Sequence, residues 1–372
     1  MIAFQPPDHP VHHWSVRKSA AESPRGVVVS QAYDASAAGV AVLEAGGNAV
    51  DAAVATAFSL AVVEPWNSGL GGVGFALYHA HDAQSATSVH FGPVAPRKLR
   101  AEMFPLTGRP ATDLFPWPQV LDDANSHGPL SFCLPSAVAG YGSMLERWGT
   151  MPLAEVMQPA IALAKRGLAS DWFTTLMLAQ GAAIMRRYDE SARIFLRDGL
   201  PPTTPYQGTP GFLPLGRLPD TLEQLARAGW RDFYRGDLAK TIVSDIADLG
   251  GLIGFDEMQA YEIETADALP VEWGDATIQL SAGLTAGPTL AHALSMLSPP
   301  SSRGKEKAPS PQWYADVARA LQAAYRKRLH VDDDPAAPEG CTTHINVCDA
   351  KGSMVALTTT LLSSLGSRVV LP

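Results

Sequence analysis

The sequence predicts a mixed α/β fold, and three observations carry that reading. Apolar residues recur at helical spacing in several long stretches. Short apolar runs of strand character stand between them, and the last block of the chain alternates like a β-hairpin. Of the 372 residues, 46% are hydrophobic, which is enough for one large core. The 32 Gly and 30 Pro are scattered without a period, as in a protein with many turns.

Residues 1–25, with their Pro and His, read as an irregular N-terminal arm. Val27–Ser30 is a short run of strand character. From Asp34 the period changes: Ala38, Val42 and Ala45 define a helix that Gly46-Gly47-Asn48 ends. Ala49–Val62 is a second, alanine-rich helix whose small side chains permit close packing, and Pro65 stops it. A glycine-dense turn at Gly69–Gly74 precedes a strand at Phe75–Tyr78, with Thr87–Phe91 as its hairpin partner. Helices are expected over Ala137–Trp148, Leu153–Arg166, Leu218–Ala228, Leu238–Leu249, Leu290–Leu297 and Trp313–Leu329. Residues 299–311 and 332–339 are polar and contain proline, and read as exposed loops. His344–Cys348 and Met354–Leu362 alternate as strands around an Asp349-Ala350-Lys351-Gly352 turn, and Arg368–Leu371 is strand-like. A terminal hairpin needs a sheet to join, so one α/β domain is expected.

Lys and Arg total 28 against 37 Asp and Glu, a net charge of −9, which argues against nucleic acid as a partner. No uninterrupted apolar run reaches the roughly 18 residues of a membrane span. No basic and apolar leader is visible, so a cytoplasmic location is expected, or a periplasmic or secreted one if a leader is missing. Cys133, Cys341 and Cys348 are too few to staple the fold and lack metal-ligand spacing. His79 and His81 stand at i, i+2 without a carboxylate or Cys at matching spacing. No metal or cofactor is expected, and nothing indicates an oligomeric state.

Cys341-Thr342-Thr343-His344 sits between the acidic loop and the terminal hairpin. A Thr at such a junction has two readings. It satisfies the backbone or caps a turn, or it becomes an N-terminus by self-cleavage. In the second case one residue supplies a hydroxyl and an amine, of pKa near 8, that accepts the hydroxyl proton.

The wider pattern separates the two. Val42-Leu43-Glu44-Ala45-Gly46-Gly47-Asn48-Ala49-Val50-Asp51-Ala52-Ala53-Val54-Ala55 is followed by Pro65 and Gly69-Leu70-Gly71-Gly72-Val73-Gly74-Phe75. Pro135-Ser136-Ala137-Val138-Ala139-Gly140, Trp148-Gly149-Thr150-Met151-Pro152, Gln158-Pro159-Ala160 and Phe233-Tyr234-Arg235-Gly236 come later. Together these segments, from about Gly26 to the C-terminus, resemble the γ-glutamyltranspeptidase (glutathione hydrolase) family of N-terminal-nucleophile (Ntn) hydrolases. The resemblance implies a four-layer αββα sandwich and a precursor cut into a large and a small part. Here these correspond to 26–341 and 342–372, within one domain. It further implies cleavage at Cys341-Thr342 and Thr342 as nucleophile. Thr343 and His344 match the residues after it, Thr360 matches a second-strand hydroxyl beside it, and Thr343 and Thr360 are expected to join Thr342 in the catalytic set. With two-residue periodicity, Thr358 and Thr360 share one face of their strand. The implied reaction is acyl transfer from an amide or γ-glutamyl small molecule, through Thr342, to water or an amine.

Three departures bear on substrate and completeness. Where the family has an Arg that grips the γ-glutamyl α-carboxylate, His90-Phe91-Gly92-Pro93-Val94-Ala95-Pro96 offers Gly92, and Arg97 and Arg100 follow downstream. Leu362 stands where the family has a substrate-binding Asn. The resemblance implies a γ-glutamyltransferase-like amide hydrolase or acyltransferase, but these changes remove support for glutathione itself; the alternative is a non-γ-glutamyl amide, as in superfamily members that cut cephalosporin side chains or oxamate. His127 is a further candidate pocket residue, and Gly283–Gly287 corresponds to a pocket-bordering loop or forms a plain turn. Only 31 residues run from Thr342 to Pro372. The small-subunit part is therefore expected to be incomplete, without its Gly-Gly oxyanion donors, and an inactive truncated remnant is the competing expectation.

Overall fold

The computed structural model describes residues 20–110, 118–204, 207–209, 211–283, 285–299, 310–329 and 342–372. In chain order its strands are β1 (Gly26–Val29), β2 (Val73–His79), β3 (Thr87–Phe91), a ribbon of β4 (Leu106–Pro110) and β5 (Pro118–Val120), a short pair β6 (Leu168–Ala169) and β7 (Phe212–Leu213), β8 (Glu264–Asp267), a hairpin of β9 (Leu269–Trp273) and β10 (Ala276–Leu280), and the last hairpin of β11 (Thr343–Asp349) and β12 (Met354–Thr360). Six of them form one antiparallel sheet in the order β1-β11-β12-β2-β3-β8. The last hairpin thus lies between strands made near the start of the chain.

Period-two alternation divides that sheet into two faces. Thr343, Ile345, Val347, Val355, Leu357 and Thr359 are buried on one face. His344, Asn346 and Met354 are exposed on the other. Helices α1 (Tyr33–Glu44), α2 (Ala49–Val63) and α3 (Ala137–Trp148) belong to the buried side, where α2 packs against β11, β12, α1 and α3. Nearly every residue of α2 is buried, which explains its alanines: only small side chains fit a helix surrounded by packed neighbours. At Gly39 of α1 the two helices approach closely: an added Cβ would come 2.3 Å from Thr56 Oγ1.

The Gly46-Gly47-Asn48 stop and the next helix start share one hydrogen-bonded joint. Asn48 Oδ1 accepts from the backbone N–H of Val50 and Asp51, and Asp51 Oδ2 accepts from Asn48 N–H, a reciprocal cap. The buried Asp51 carboxylate also accepts from Thr150 N–H, Thr150 Oγ1 and Met151 N–H.

Beyond α3 come α4 (Leu153–Val156) and α5 (Gln158–Arg166). The single helix expected over Leu153–Arg166 is therefore broken at Met157, where Pro159 has no N–H for the Glu155 carbonyl. Next are α6 (Trp172–Met185), α7 (Asp189–Phe195), α8 (Leu218–Ala228), α9 (Asp232–Arg235), α10 (Asp237–Asp248) and α11 (Phe255–Ala260). Helices α12 (Gly287–Ser295) and α13 (Pro311–Leu329) pack on each other around Ala293, Ala320 and Ala324, and α12 also contacts β9 and β10. Arg368–Leu371 is not a strand; Arg368 has φ 60° and its guanidinium binds Ser126 O, Ser363 Oγ and Gly366 O. Expectations for residues 1–19, 332–339 and Cys341, and for most of the 299–311 loop, lie outside the described residues.

Candidate active site

The register of the last hairpin positions the candidate nucleophile. Thr343 is opposite Thr359 and His344 opposite Thr358, so Thr342 and Thr360 meet at the hairpin's open end. Their hydroxyl oxygens are 3.3 Å apart, with Thr342 Oγ1 donating. Thr360 Oγ1 also accepts the Leu362 N–H at 2.8 Å, which fixes where that oxygen points. The backbone carries the chain sharply away there, since Leu362 has φ 71°. Leu361 N–H donates to Asn67 O at 2.9 Å, and Leu365 N–H donates to Trp66 O. The segment after Thr360 is thus tied to the turn that follows α2.

Thr343 faces the opposite way. It is fully buried on the helical face, beside the Glu64 carboxyl, while Thr342 is exposed. Burial pushes the Glu64 carboxyl above its ordinary range, with Asn67 and the Thr343 hydroxyl opposing the shift. Thr359 accepts a 2.8 Å hydrogen bond from the buried Tyr141 phenol. Burial pushes that phenol up, so it stays a neutral donor. His344 lies on the open face with Nδ1 2.8 Å from Thr358 Oγ1 and Nε2 3.3 Å from Asn346 Oδ1.

Gly92 lies just past β3, and a Cβ there would meet the edge of the Phe75 ring at 3.1 Å. Phe75 is edge-on to His90, whose Nε2 is 2.8 Å from Ser88 Oγ. Leu362 is 45% exposed, an aliphatic side chain presented at the end of β12. Arg97 binds Glu257 through its backbone N–H, and the Arg100 guanidinium is engaged by the carbonyls of Arg97 and Leu99. His127 is buried in the loop that holds the C-terminal segment: its Nδ1 is 3.3 Å from the Tyr188 hydroxyl, and the neighbouring Gly128 N–H donates to Ser367 O. Among the described residues no group of three His, Cys, Asp or Glu is placed to hold a metal ion, and no helix is long and apolar enough to cross a membrane.

Sequence reasoning missed three residues whose hydrogen bonds lead to Thr342. Gln31, just after β1, donates from Nε2 to the Thr342 carbonyl at 3.2 Å. Asn67 Nδ2 donates to Gln31 Oε1 at 3.1 Å and to Glu64 Oε2 at 3.2 Å. The available signal was polar residues at the ends of a strand and a helix that both lead to one sheet edge.

A mixed fold built on one six-stranded antiparallel sheet, with paired threonines at the mouth of an inserted hairpin, now meets its relatives. The family model for gamma-glutamyltranspeptidase matches residues 35–341, and the chain belongs to that family. It is 34% identical over 239 residues to the glutathione hydrolase proenzyme of Escherichia coli K12, an alignment covering 64% of this chain and 39% of that protein. With the acylase ACY 1 proenzyme of Pseudomonas sp. V22 it is 29% identical over 404 aligned positions, covering 97% of this chain and 70% of that one. The crystal structure of Helicobacter pylori γ-glutamyltranspeptidase superposes with TM-score 0.72 at 28% identity, covering 84% of this chain and 85% of that one. The fold is thus that of the Ntn hydrolases. Of the four expected layers, the described residues supply one large sheet and the helices on one of its faces.

Proposed function

We propose that the chain is a threonine-nucleophile amide hydrolase or acyltransferase, cut before Thr342 so that the large-subunit-like region 26–341, with the arm ahead of it, and the segment 342–372 stay together in one domain. The observation that carries this reading is the 3.3 Å approach of Thr342 Oγ1 to Thr360 Oγ1 at the exposed end of β11. Cleavage of the 341–342 peptide bond frees the Thr342 amine beside its own hydroxyl. Thr342 Oγ then attacks the substrate carbonyl while that amine takes the hydroxyl proton, and passes it to the leaving amine as the C–N bond breaks. Water, or an acceptor amine, attacks the resulting ester and restores the hydroxyl. Thr360 holds the Oγ rotamer.

A non-γ-glutamyl acyl group is the better fit. Gly92, where a Cβ would meet the Phe75 ring, supplies no guanidinium for an α-carboxylate, and Leu362 presents an aliphatic surface. The acylase likeness along nearly the whole chain supports the same choice. Intact mass and N-terminal sequencing test cleavage: a fragment beginning at Thr342 is expected, and a chain that stays at its uncut mass overturns the reading in favour of an inactive remnant. A panel of amides tests substrate, with apolar acyl amides turned over faster than a γ-glutamyl anilide; the reverse order overturns the substrate assignment.

A further inference from the structure

We infer that Glu64, Asn67 and Gln31 form a directional hydrogen-bond relay that positions Thr342 for cleavage and turnover; this rests on the nucleophile reading above. The relay begins in the interior. Glu64 and Asn67 are 4% and 6% exposed, whereas Gln31 and Thr342 are exposed. Glu64 Oε2 accepts one N–H of Asn67 Nδ2 at 3.2 Å. The second N–H of that nitrogen goes to Gln31 Oε1 at 3.1 Å. With its oxygen so engaged, the Gln31 amide presents Nε2 to the Thr342 carbonyl at 3.2 Å. One carboxylate therefore sets the polarity of two amides in series.

The target of the relay is what makes it a positioning device. Pinning the Thr342 carbonyl fixes the rotation of that residue about its Cα–C bond, and with it where the nitrogen and Oγ stand relative to the incoming carbonyl. Asn67 acts on the other threonine as well, because its backbone oxygen accepts the N–H of Leu361, the residue after Thr360. A single residue thus indexes both hydroxyls of the pair. Gln31 lies at the surface and fills no core space, so its substitution separates positioning from stability.

The test compares the wild-type full chain with Gln31→Met, which keeps side-chain length and removes the donor, and with Asn67→Leu. For Gln31→Met, cleavage rate and kcat are each expected to fall about tenfold, the loss of one hydrogen bond that counts in the transition state. KM should stay within about twofold and the urea midpoint should not move. Asn67→Leu should lose at least as much. Crystal structures of wild type and Gln31→Met supply an arm independent of activity: the Thr342 carbonyl should rotate, and the Thr342–Thr360 oxygen separation should widen from 3.3 Å. An unchanged carbonyl and separation in the variant overturns the relay whether or not the chain is cut. Wild-type rates in Gln31→Met overturn it too. A wild-type chain that never exposes Thr342 as an N-terminus instead removes the nucleophile reading, and the relay with it.

Discussion

The Asp349 carboxylate lies 3.1 Å from the Ala49 backbone nitrogen and accepts its hydrogen bond, joining the turn of the last hairpin to the first residue of α2. The negative group stands at a helix N-terminus, where unpaired N–H groups and the helix dipole favour it. The other oxygen of the same carboxylate accepts from Lys351 and Ser353 N–H, which closes the hairpin turn. Replacing Asp349 by Ala leaves three backbone donors without their acceptor in a site that is 8% exposed. A loss of about 3 kcal/mol is expected, read from urea unfolding.

Gly39→Ala should destabilise through overpacking. The new methyl would sit 2.3 Å from Thr56 Oγ1 and 2.9 Å from a Val28 methyl, between α1, α2 and β1. About 1–3 kcal/mol is expected, and the same denaturation measurement checks it. Thr56→Ser in the Gly39→Ala background should not restore stability, because the clashing oxygen remains.

At the threonine pair, removing a hydroxyl should act on rate rather than on folding. Thr360→Val keeps shape but removes the oxygen that accepts from Thr342 Oγ1 and Leu362 N–H. Turnover is expected to drop about 100-fold, with Thr360→Ser retaining most of it and Thr342→Ala abolishing both cleavage and turnover. Steady-state kinetics and intact mass on the same samples check this.

The Glu64 carboxyl, raised above its usual 4.5 by burial, makes stability depend on pH. Its folded-state pKa exceeds the unfolded one, so the folded chain holds the proton more tightly. Its contribution is fully present below 4.5 and is lost as pH rises through the raised value. Glu64→Gln should flatten that part of the curve. Unfolding midpoints of the two proteins should therefore diverge as pH climbs from 4.5, with wild type losing stability faster. Parallel curves would show that Glu64 does not titrate in this window.

Most of the framework was legible because it rests on local rules. Ala137–Trp148 and Leu218–Ala228 were bounded correctly from apolar spacing and from the glycine that follows each. The last hairpin followed from alternation around Asp349–Gly352. Helix α6 was not legible, since Trp172, Phe173 and Leu176 stay exposed beside its buried residues and erase any polar face. Strand β8 was hidden for the opposite reason: Glu264–Asp267 is an exposed edge strand with no apolar alternation. At the site, Thr342 and Thr360 were legible through a resemblance carried by distant motifs. Several of those motifs turn out to be joints: Asp51 meets Thr150, and the Tyr234 hydroxyl donates to Pro135 O and accepts from Ala139 N–H. Gln31 and Asn67 stayed invisible because their meaning is a three-body contact between a strand end, a helix end and a hairpin 311 residues downstream of Gln31.

The place of β11 and β12 in the sheet has a consequence for biosynthesis. On the ribosome β1 and β2 emerge early, yet neither is the other's neighbour; the gap between them is filled only when residues 343–360 leave the exit tunnel. Until then the nascent chain carries two unsatisfied strand edges and waits for its keystone, a long-range closure of the kind that slows folding. The same insertion means that a nick ahead of Thr342 releases nothing, because the hairpin stays stitched to β1 on one flank and to β2 on the other.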